Sequence, residues 1–419
     1  MVRATAGGLI GALTGSRALR AAPAFVRRVG SDADSILLGV SAAFSGPSRS
    51  LGIELYRGAM SYFSHINENG GVNGRRIELK VYDDGYQPDP CVENTLRLIR
   101  EDQVFLLFGY VGTPTVTRAL PVLKKFQDER AYLLFPFTGA QPQREPPYGE
   151  FAFNLRASYR QETAQLVDRF VEVDRPRIGM FYQADAYGRS GWAGVRGQLA
   201  THDLNMVAEA TYTRGTRFTG SMRRQVEILM DAEPDAVICV GSYAACAALV
   251  RDAVDMGLRV PFANLSFVGS ESLLQLLTDD MENSEAYTSL LVNSQVVPSY
   301  EDASTPAVLE YRDLMQRYDP PPPEELLTEP YDTLARSFVS FEGFLNAKMM
   351  TEILGRLDGE PDRSGLEDAV FSVSNYDIGI GSLVSFGPNR RQGLQTVYHT
   401  VVDDGRFVPL LDWGEKFGQ

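Results

Sequence analysis

The stretch His65–Asp89, HINENGGVNGRRIELKVYDDGYQPD, contains the end of a helix, a turn, a strand and the loop after that strand. Residues 67–74 (NENGGVNG) are dense in asparagine and glycine, which are typical of tight turns. Ile77–Tyr82 alternates in polarity, which predicts a β-strand that ends at Asp83-Asp84-Gly85. Leu55–Ile66, before the turn, has the apolar spacing of a helix. The stretch therefore predicts one helix–turn–strand unit with a loop at the end of its strand.

The same alternation of strands and helices continues on both sides of this stretch. Short apolar runs predict strands at 35–43, 77–82, 104–108, 132–135, 177–182, 235–240 and 262–265. Segments between them, such as 92–100 and 244–256, have helical spacing. Strands that alternate with helices indicate parallel sheets with helices on both faces. Because the pattern restarts near residue 177, the sequence predicts an α/β protein with two doubly wound, Rossmann-like lobes.

Length and charge set limits on the class of protein. The chain has 419 residues, of which 44% are hydrophobic, and a formal net charge of −14. This length suits two cores, because single cores stop growing near about 250–300 residues. An acidic body repels nucleic acid and anionic lipid, so neither is expected as a partner. No run approaches the roughly 20 apolar residues of a membrane span, and no membrane insertion is predicted.

Residues 1–31 resemble an export segment. They carry five arginines and no acid, and residues 6–14 (AGGLIGALT) form a short apolar stretch. Ala22-Pro23-Ala24 is a small-residue region suited to cleavage. A disordered cytoplasmic extension is the alternative. The favoured interpretation places the mature protein in the periplasm.

No pattern in the sequence indicates catalysis, a metal site or a cofactor. The three cysteines form no CxxC pair, so neither a zinc site nor a disulfide framework is indicated, although one disulfide remains open. The three histidines lie apart from the cysteines and from the loops that follow strands. There is no GxSxG, P-loop or HExxH motif. Asp83-Asp84 lacks the spaced oxygen ligands of a calcium loop. The expected function is therefore binding rather than catalysis.

The loops that follow the predicted strands are the expected ligand site. Open parallel sheets bind ligands at the carboxyl ends of their strands. These loops are rich in hydroxyl groups, glycines and aromatic rings and contain few charged side chains. They cover residues 45–51, 109–113, 136–139, 183–188, 241–243 and 264–267.

These segments resemble the type I periplasmic binding proteins of the leucine/isoleucine/valine-binding family. His65–Asp89 is similar to the family signature, and Ser45-Gly46-Pro47 resembles its first ligand loop. Residues 181–188 (FYQADAYG), 240–243 (VGSY) and 264–271 (NLSFVGSE) resemble its second-lobe loops. The resemblance extends from about residue 36 to the C-terminus. It implies two α/β lobes that close on a ligand through a three-segment hinge.

The resemblance also implies boundaries and a role. The crossing segments are expected near 154–157, 292–295 and 386–390. Lobe 1 then covers 32–155 plus 293–387, and lobe 2 covers 156–292 plus 388–419. The implied protein is the substrate-binding component of an ABC importer, a monomer that delivers a small ligand to permease subunits. A sensor of the same fold that feeds a signalling partner and a cytoplasmic ligand-binding regulator are the alternatives.

The resemblance assigns candidate ligand-binding residues to the loops. They are Ser45, Leu51, Gly112, Thr113, Phe137, Thr138, Gly139, Tyr187, Tyr243, Ser266 and Phe267. Thr113, followed by Pro114, is interpreted as the N-cap of a helix whose amides and hydroxyl suit an anion. In the family, the positions of Thr113 and Thr138 hold a ligand carboxylate, and the tyrosine at Tyr187 covers the ligand.

Ser266 is a departure from the family pattern. Amino-acid binders of the family carry an acidic residue near this point, which pairs with the ligand ammonium. A buried ammonium without a countercharge costs several kcal/mol. The nearby Glu271 is expected to start the next helix. We therefore expect a carboxylate with an apolar or aromatic body rather than a standard α-amino acid, with branched-chain amino-acid binding as the alternative.

Overall fold

The structure of the chain is a computed structural model that describes residues 34–418 apart from 280, 281, 358 and 360. The predicted export segment 1–31 lies outside the described residues. Within this range, no helix is both long enough and apolar enough to cross a membrane. All three cysteines are buried free thiols, so the disulfide that the sequence left open does not form among them.

Strands and helices alternate along most of the chain. The strands are β1 (Ser35–Ala42), β2 (Arg76–Asp83), β3 (Leu106–Phe108), β4 (Leu133–Leu134), β5 (Ala152–Phe153), β6 (Ile178–Gln183), β7 (Ala208–Tyr212), β8 (Ala236–Val240), β9 (Phe262–Asn264), β10 (Leu291–Gln295), β11 (Tyr376–Asp377), β12 (Leu383–Val384), β13 (Tyr398–Asp403) and β14 (Arg406–Pro409). The helices are α1 (Arg49–Glu68), α2 (Pro88–Arg100), α3 (Thr113–Lys125), α4 (Tyr159–Glu172), α5 (Ala186–Thr201), α6 (Arg223–Met230), α7 (Tyr243–Asp255), α8 (Ser270–Thr278), α9 (Ser284–Thr288), α10 (Pro306–Tyr318), α11 (Phe338–Gly355), α12 (Leu366–Phe371) and α13 (Trp413–Phe417).

Two large sheets organise the molecule. The first has the order β2-β1-β3-β4-β5 and is parallel throughout. The second has the order β14-β13-β10-β9-β8-β6-β7, with β13 and β14 antiparallel at one edge. We call the parts built on these sheets lobe 1 and lobe 2. The prediction of two doubly wound α/β lobes is confirmed.

Two distant segments run side by side where the chain leaves the first sheet. The amide of Asn154 donates to the carbonyl of Arg391 at 2.8 Å, and the amide of Gly393 donates to the carbonyl of Asn154 at 2.8 Å. The amide of Leu394 donates to the carbonyl of Leu155 at 2.8 Å. These bonds join the first predicted crossing segment to residues just beyond the third.

The first helix begins earlier than its apolar spacing suggested. α1 starts at Arg49, and the amide of Leu51 already donates to the carbonyl of Ser48 at 3.1 Å. Leu51 therefore lies in a helix, and its expected place in a loop is wrong. The first turn carries Arg49 and Ser50, whose polar side chains hide the helical periodicity because they bind lobe 2 and residues 329–331 instead of packing in a core.

Glycines allow α1 and α11 to pack with their backbones in contact. A Cβ atom at Gly58 would lie 1.8 Å from the carbonyl oxygen of Ser340, and one at Gly343 would lie 2.1 Å from that of Leu55. Any side chain at these positions would push the helices apart. Since α1 also leads out of the first ligand loop, this packing fixes one wall of the cleft.

We predict that Gly58→Ala lowers the free energy of unfolding by about 1–3 kcal/mol, the usual cost of overpacking. The matched control is Gly197→Ala on α5, where a Cβ atom meets nothing within 4 Å. That substitution is expected to raise stability by about 0.5–1 kcal/mol, because alanine loses less backbone entropy than glycine on folding. Urea denaturation of the variants measures both. Equal stability of Gly58→Ala and the parent chain would contradict the close packing.

Candidate functional site

The loops at the carboxyl ends of the two sheets face and touch each other. Gln183, at the end of β6, donates from its side-chain amide to the hydroxyl of Tyr86 at 3.2 Å. Ser50 of α1 and Ser272 of α8 join their hydroxyl groups at 2.6 Å. The two lobes are therefore in contact across the cleft, and the predicted ligand loops lie on its opposing walls.

Two threonines form a hydroxyl pair on the lobe 1 wall. The hydroxyl oxygens of Thr113 and Thr138 lie 2.7 Å apart, and the hydroxyl of Tyr159 lies 3.5 Å from that of Thr113. Thr113 is the first residue of α3, and the interpretation of Thr113 as its N-cap is wrong. Gly112 takes the N-cap position with φ 106°. A side chain there would collide with the Tyr86 ring, since a Cβ atom would lie 2.3 Å from it.

The turn that contains Phe137 and Gly139 packs on the start of α4. The amide of Tyr159 donates to the carbonyl of Gly139 at 2.7 Å. A Cβ atom at Gly139 would lie 2.5 Å from the Tyr159 ring. Gly139 is thus required for close approach, and Tyr159 joins the site although the sequence did not single it out.

An aromatic cluster fills the centre of the cleft. The ring of Phe267, from lobe 2, lies 4.8 Å from that of Tyr187, 5.3 Å from that of Phe137 and 5.8 Å from that of Tyr86. Phe137 and Tyr86 come from lobe 1, so the cluster spans both lobes. Tyr187 is held in place at the start of α5, where its amide donates to the carboxylate of Asp185 at 2.9 Å. All four rings are buried.

A buried guanidinium lies beside this cluster. Arg156 stands over the ring of Phe137, with its Cζ atom 4.9 Å from the ring centre. Its Nη2 lies 3.4 Å from a carboxylate oxygen of Glu162 and also donates to the hydroxyl of Ser266. Its Nη1 lies 3.4 Å from a carboxylate oxygen of Glu342. Arg156 lies in the first predicted crossing segment, and Glu342 comes from α11, so one cation connects the hinge to both lobes.

The three charged groups perturb one another. Burial raises the pKa of Glu342 to about 7, and the carboxylate of Glu162 adds to this, while Arg156 opposes it. Burial alone would lower the pKa of Arg156, but the carboxylates of Glu342 and Glu162 outweigh it and leave this pKa raised. The Glu342 carboxyl group therefore has its pKa near neutral pH beside the Arg156 cation, and the guanidinium of Arg144 lies close by, where it donates to the carbonyl of Arg156 at 3.2 Å.

Several buried polar atoms here have no hydrogen-bond partner among the described residues. They are Nε of Arg156 and the hydroxyl of Tyr187, whereas Nη1 of Arg156 and one carboxylate oxygen of Glu342 meet only each other, at 3.4 Å and without hydrogen-bond geometry. Buried polar groups are normally hydrogen-bonded, because an unpaired one costs about 1–3 kcal/mol. Donors without acceptors at the base of a cleft are suited to a ligand that supplies acceptor oxygens.

The expectation that no acid lies near Ser266 is wrong. The Ser266 amide donates to one carboxylate oxygen of Glu162 at 2.8 Å, and its hydroxyl donates to the other at 3.1 Å. Ser294 of β10 also donates to Glu162, at 2.6 Å. The acid comes from α4, far from Ser266 in sequence, so reading the 264–271 segment alone missed it. Arg156 had one available signal, an arginine inside a predicted hinge segment.

The remaining predicted residues lie toward the mouth of the cleft. The hydroxyl of Ser45 donates to the carboxylate of Asp83, and the hydroxyl of Tyr243 accepts from the amide of Ser50 at 3.3 Å. Leu51 is buried against Gly269, where a Cβ atom would lie 2.8 Å from the leucine side chain. Ser45 and Tyr243 also line a chamber of about 690 Å³ at the mouth. The predicted residues thus form two groups. The inner group surrounds Arg156 and Phe267, and the outer group, at the mouth, consists of Ser45, Leu51 and Tyr243.

Comparisons with known proteins agree with this architecture. The periplasmic binding protein family matches residues 35–406. An amino acid binding protein of Pseudomonas aeruginosa is 23% identical over 57% of the chain, and the leucine-specific-binding protein of Salmonella typhimurium is 25% identical over 58%. The matches cover 62% and 64% of the length of these two relatives.

A solved structure is similar over nearly the whole chain. The crystal structure of a possible leucine/isoleucine/valine-binding protein from Rhodopirellula baltica is 31% identical, with a TM-score of 0.80. The match covers 93% of this chain and 99% of that one. On the family match, the two-sheet fold and this likeness, the chain belongs to the periplasmic binding protein family, with the type I fold.

Proposed function

We propose that the chain is the periplasmic substrate-binding component of an ABC importer, which closes its lobes on a small carboxylate with an apolar or aromatic body. Family membership supports the receptor role, because proteins of this family and fold bind substrates. The proposal includes delivery to permease subunits and a monomeric chain that needs no cofactor. It treats the eleven residues predicted from the loops, together with Arg156 and Tyr159, as the ligand-binding set.

The unpaired donors of Arg156 carry the proposal of a carboxylate ligand. A guanidinium is a fixed cation with five N–H donors, and its hydrogen bonds to a carboxylate are charge-assisted and strong. Nε of Arg156 is buried without a hydrogen-bond acceptor among the described residues, and Nη1 meets a carboxylate oxygen of Glu342 only at 3.4 Å. The ring of Phe137 lies beside the guanidinium and packs against that of Phe267, and both rings suit an apolar ligand body. The hydroxyls of Thr113 and Thr138, which lie 2.7 Å apart, are further polar groups on the lobe 1 wall.

An amino-acid ligand is the second candidate. Glu162 and Glu342 are both buried and both pair with Arg156 at 3.4 Å, and two carboxylates that share one ion-pair partner suit a ligand ammonium. Two relatives are named as amino-acid or leucine binders. The charge of Glu342 discriminates between the candidates, because it repels a carboxylate ligand and attracts a ligand ammonium.

The first test is thermal unfolding against a panel of ligands, with aromatic and aliphatic carboxylates, their amides, and branched-chain amino acids. A ligand that binds only the folded chain stabilises it by about 2.7 kcal/mol at a hundredfold excess over Kd. We expect the carboxylates to raise the melting temperature and the amides to fail. Stabilisation by leucine or isoleucine alone would contradict the carboxylate proposal.

The second test replaces the proposed anchor. Arg156→Lys keeps the charge but removes the planar guanidinium with its buried Nε donor, so we expect affinity for a stabilising carboxylate to fall at least tenfold by calorimetry. The matched control is Arg160→Lys, at an exposed arginine that pairs with Glu145 at 3.1 Å. The control should bind as the parent chain does. Undiminished affinity in a folded Arg156→Lys variant would remove Arg156 from the proposed binding set.

The third test uses the pH dependence of binding between pH 6 and pH 8. Glu342 has a pKa of about 7, so it gains negative charge across this window. A carboxylate ligand should bind more weakly as the pH rises, whereas a ligand ammonium should bind more tightly. Glu342→Gln should flatten the profile in either case. Tighter carboxylate binding at high pH would contradict the proposed geometry.

A further inference from the structure

The chamber at the mouth of the cleft is built from both lobes. Lobe 1 contributes the start of α1 with Ser50, and lobe 2 contributes Phe218, Tyr243 and Gln275. Its volume of about 690 Å³ lies in the range of about 300–1,000 Å³ that holds drug-sized ligands. A ligand in this chamber would contact both lobes, as a molecule that stabilises closure must.

A third wall comes from the segment 319–334 between α10 and α11, which we call the strap. Arg57 of α1 is buried and binds both ends of the strap. Its Nε donates to the carbonyl of Pro320 at 2.8 Å, and its Nη1 donates to that of Leu334 at 2.6 Å. Its Nη2 also donates to the carboxylate of Asp319 at 2.8 Å. The strap is therefore attached to α1 by one cation.

Glu54 completes this attachment and positions Tyr331. It pairs with Arg57 at 2.9 Å, and side chains of both residues are about 1% exposed. The same carboxylate accepts from the hydroxyl of Tyr331 at 3.0 Å and from the amide of Leu334 at 3.1 Å. A buried ion pair is tolerated when its other hydrogen bonds are made, as they are here. Tyr331 is thereby fixed in the chamber wall, where its hydroxyl also meets that of Ser50 at 2.8 Å.

The chemistry of the walls indicates an organic body. Phe218, Tyr243 and Tyr331 bring three aromatic rings from three separate elements, and such rings bind flat apolar groups. Arg217 and Asp332 also line the chamber, and neither has an ion pair within the part of the chain that the structure describes. The segment 266–272 connects the inner group of residues to this chamber. Ser266, at its start, contacts Arg156, and Ser272, at its end, lines the chamber.

We propose that this chamber holds the body of the ligand, so that the ligand is a carboxylic acid whose apolar or aromatic body is larger than a standard amino-acid side chain. This inference rests on the proposed receptor function. It assigns the strap, through Tyr331, the role of selecting the ligand by size. The Glu54–Arg57 pair is a positioning pair, since it acts through the strap and lies outside the chamber.

The experiment is titration calorimetry of the full chain with three probes: propionate, 4-phenylbutyrate and 4-phenylbutanol. The test variant is Gln275→Trp, which places an indole in the chamber at an exposed position. Ala200→Trp, on the exposed face of α5, is the control for adding an indole. A second filling variant, Thr219→Trp at another exposed lining position, covers the case in which Gln275→Trp fails to fold.

We expect 4-phenylbutyrate to bind the parent chain more tightly than propionate. The filled variants should bind 4-phenylbutyrate at least tenfold more weakly than the parent chain does. Their affinity for propionate should stay unchanged, and the Ala200→Trp control should bind both acids as the parent chain does. Unchanged 4-phenylbutyrate affinity in both filled variants, or preference for propionate, would overturn the chamber proposal and leave the receptor function standing. If only 4-phenylbutanol binds and the filled variants lose this binding, the result would support the chamber proposal and contradict the carboxylate proposal. If none of the three probes binds the parent chain, both the chamber proposal and the carboxylate proposal would be overturned.

Discussion

The buried guanidinium of Arg156 is the interaction on which the rest of the cleft depends. It lies in the first predicted crossing segment and contacts Glu162 of α4, Glu342 of α11 and Ser266 in the loop after β9. Taking a charge out of water costs several kcal/mol, and only well-placed partners repay it. Moving the lobes apart would separate these partners. The relative position of the lobes and the state of the ligand site are therefore linked through one side chain.

Closure of the lobes has two further physical components. The aromatic cluster around Phe267 buries rings from both lobes, and this favours the closed arrangement through the hydrophobic effect. At the mouth, the hydroxyl of Ser50 bonds to that of Ser272 and meets that of Tyr331. A ligand can shift the balance between open and closed states only by binding one of them better. Donors that lack acceptors in the closed state are the means by which a ligand would do so.

Much of the fold could be predicted from the sequence, because alternating strands and helices leave strong local patterns. The strands at 35–42 and 236–240 appear within a residue or so of their expected places. The start of α1 was misplaced because its first turn is polar and binds other segments. The site was predicted only in part. Thr138 and Phe267 lie in the loops that follow β4 and β9, so their place at the cleft could be inferred from topology.

Residues that reach the site from helices could not be inferred in this way. Glu162 and Glu342 lie on α4 and α11, and their carboxylates meet at Arg156 only through tertiary packing. Local reading of Ser266 therefore suggested a site without an acid. A countercharge can come from any helix or strand that packs on the cleft, so a local sequence segment does not reveal it. The loops at strand ends, in contrast, are placed at the cleft by the sheet topology.

The most direct test of the central claim, that the lobes close on a carboxylate, is small-angle X-ray scattering with and without the carboxylate that most raises the melting temperature. The closed receptor is the more compact state, so a saturating amount of this acid should lower the radius of gyration. Arg156→Lys at the same acid concentration should show a smaller decrease. A radius of gyration that stays unchanged while the acid stabilises the chain would contradict closure on the ligand.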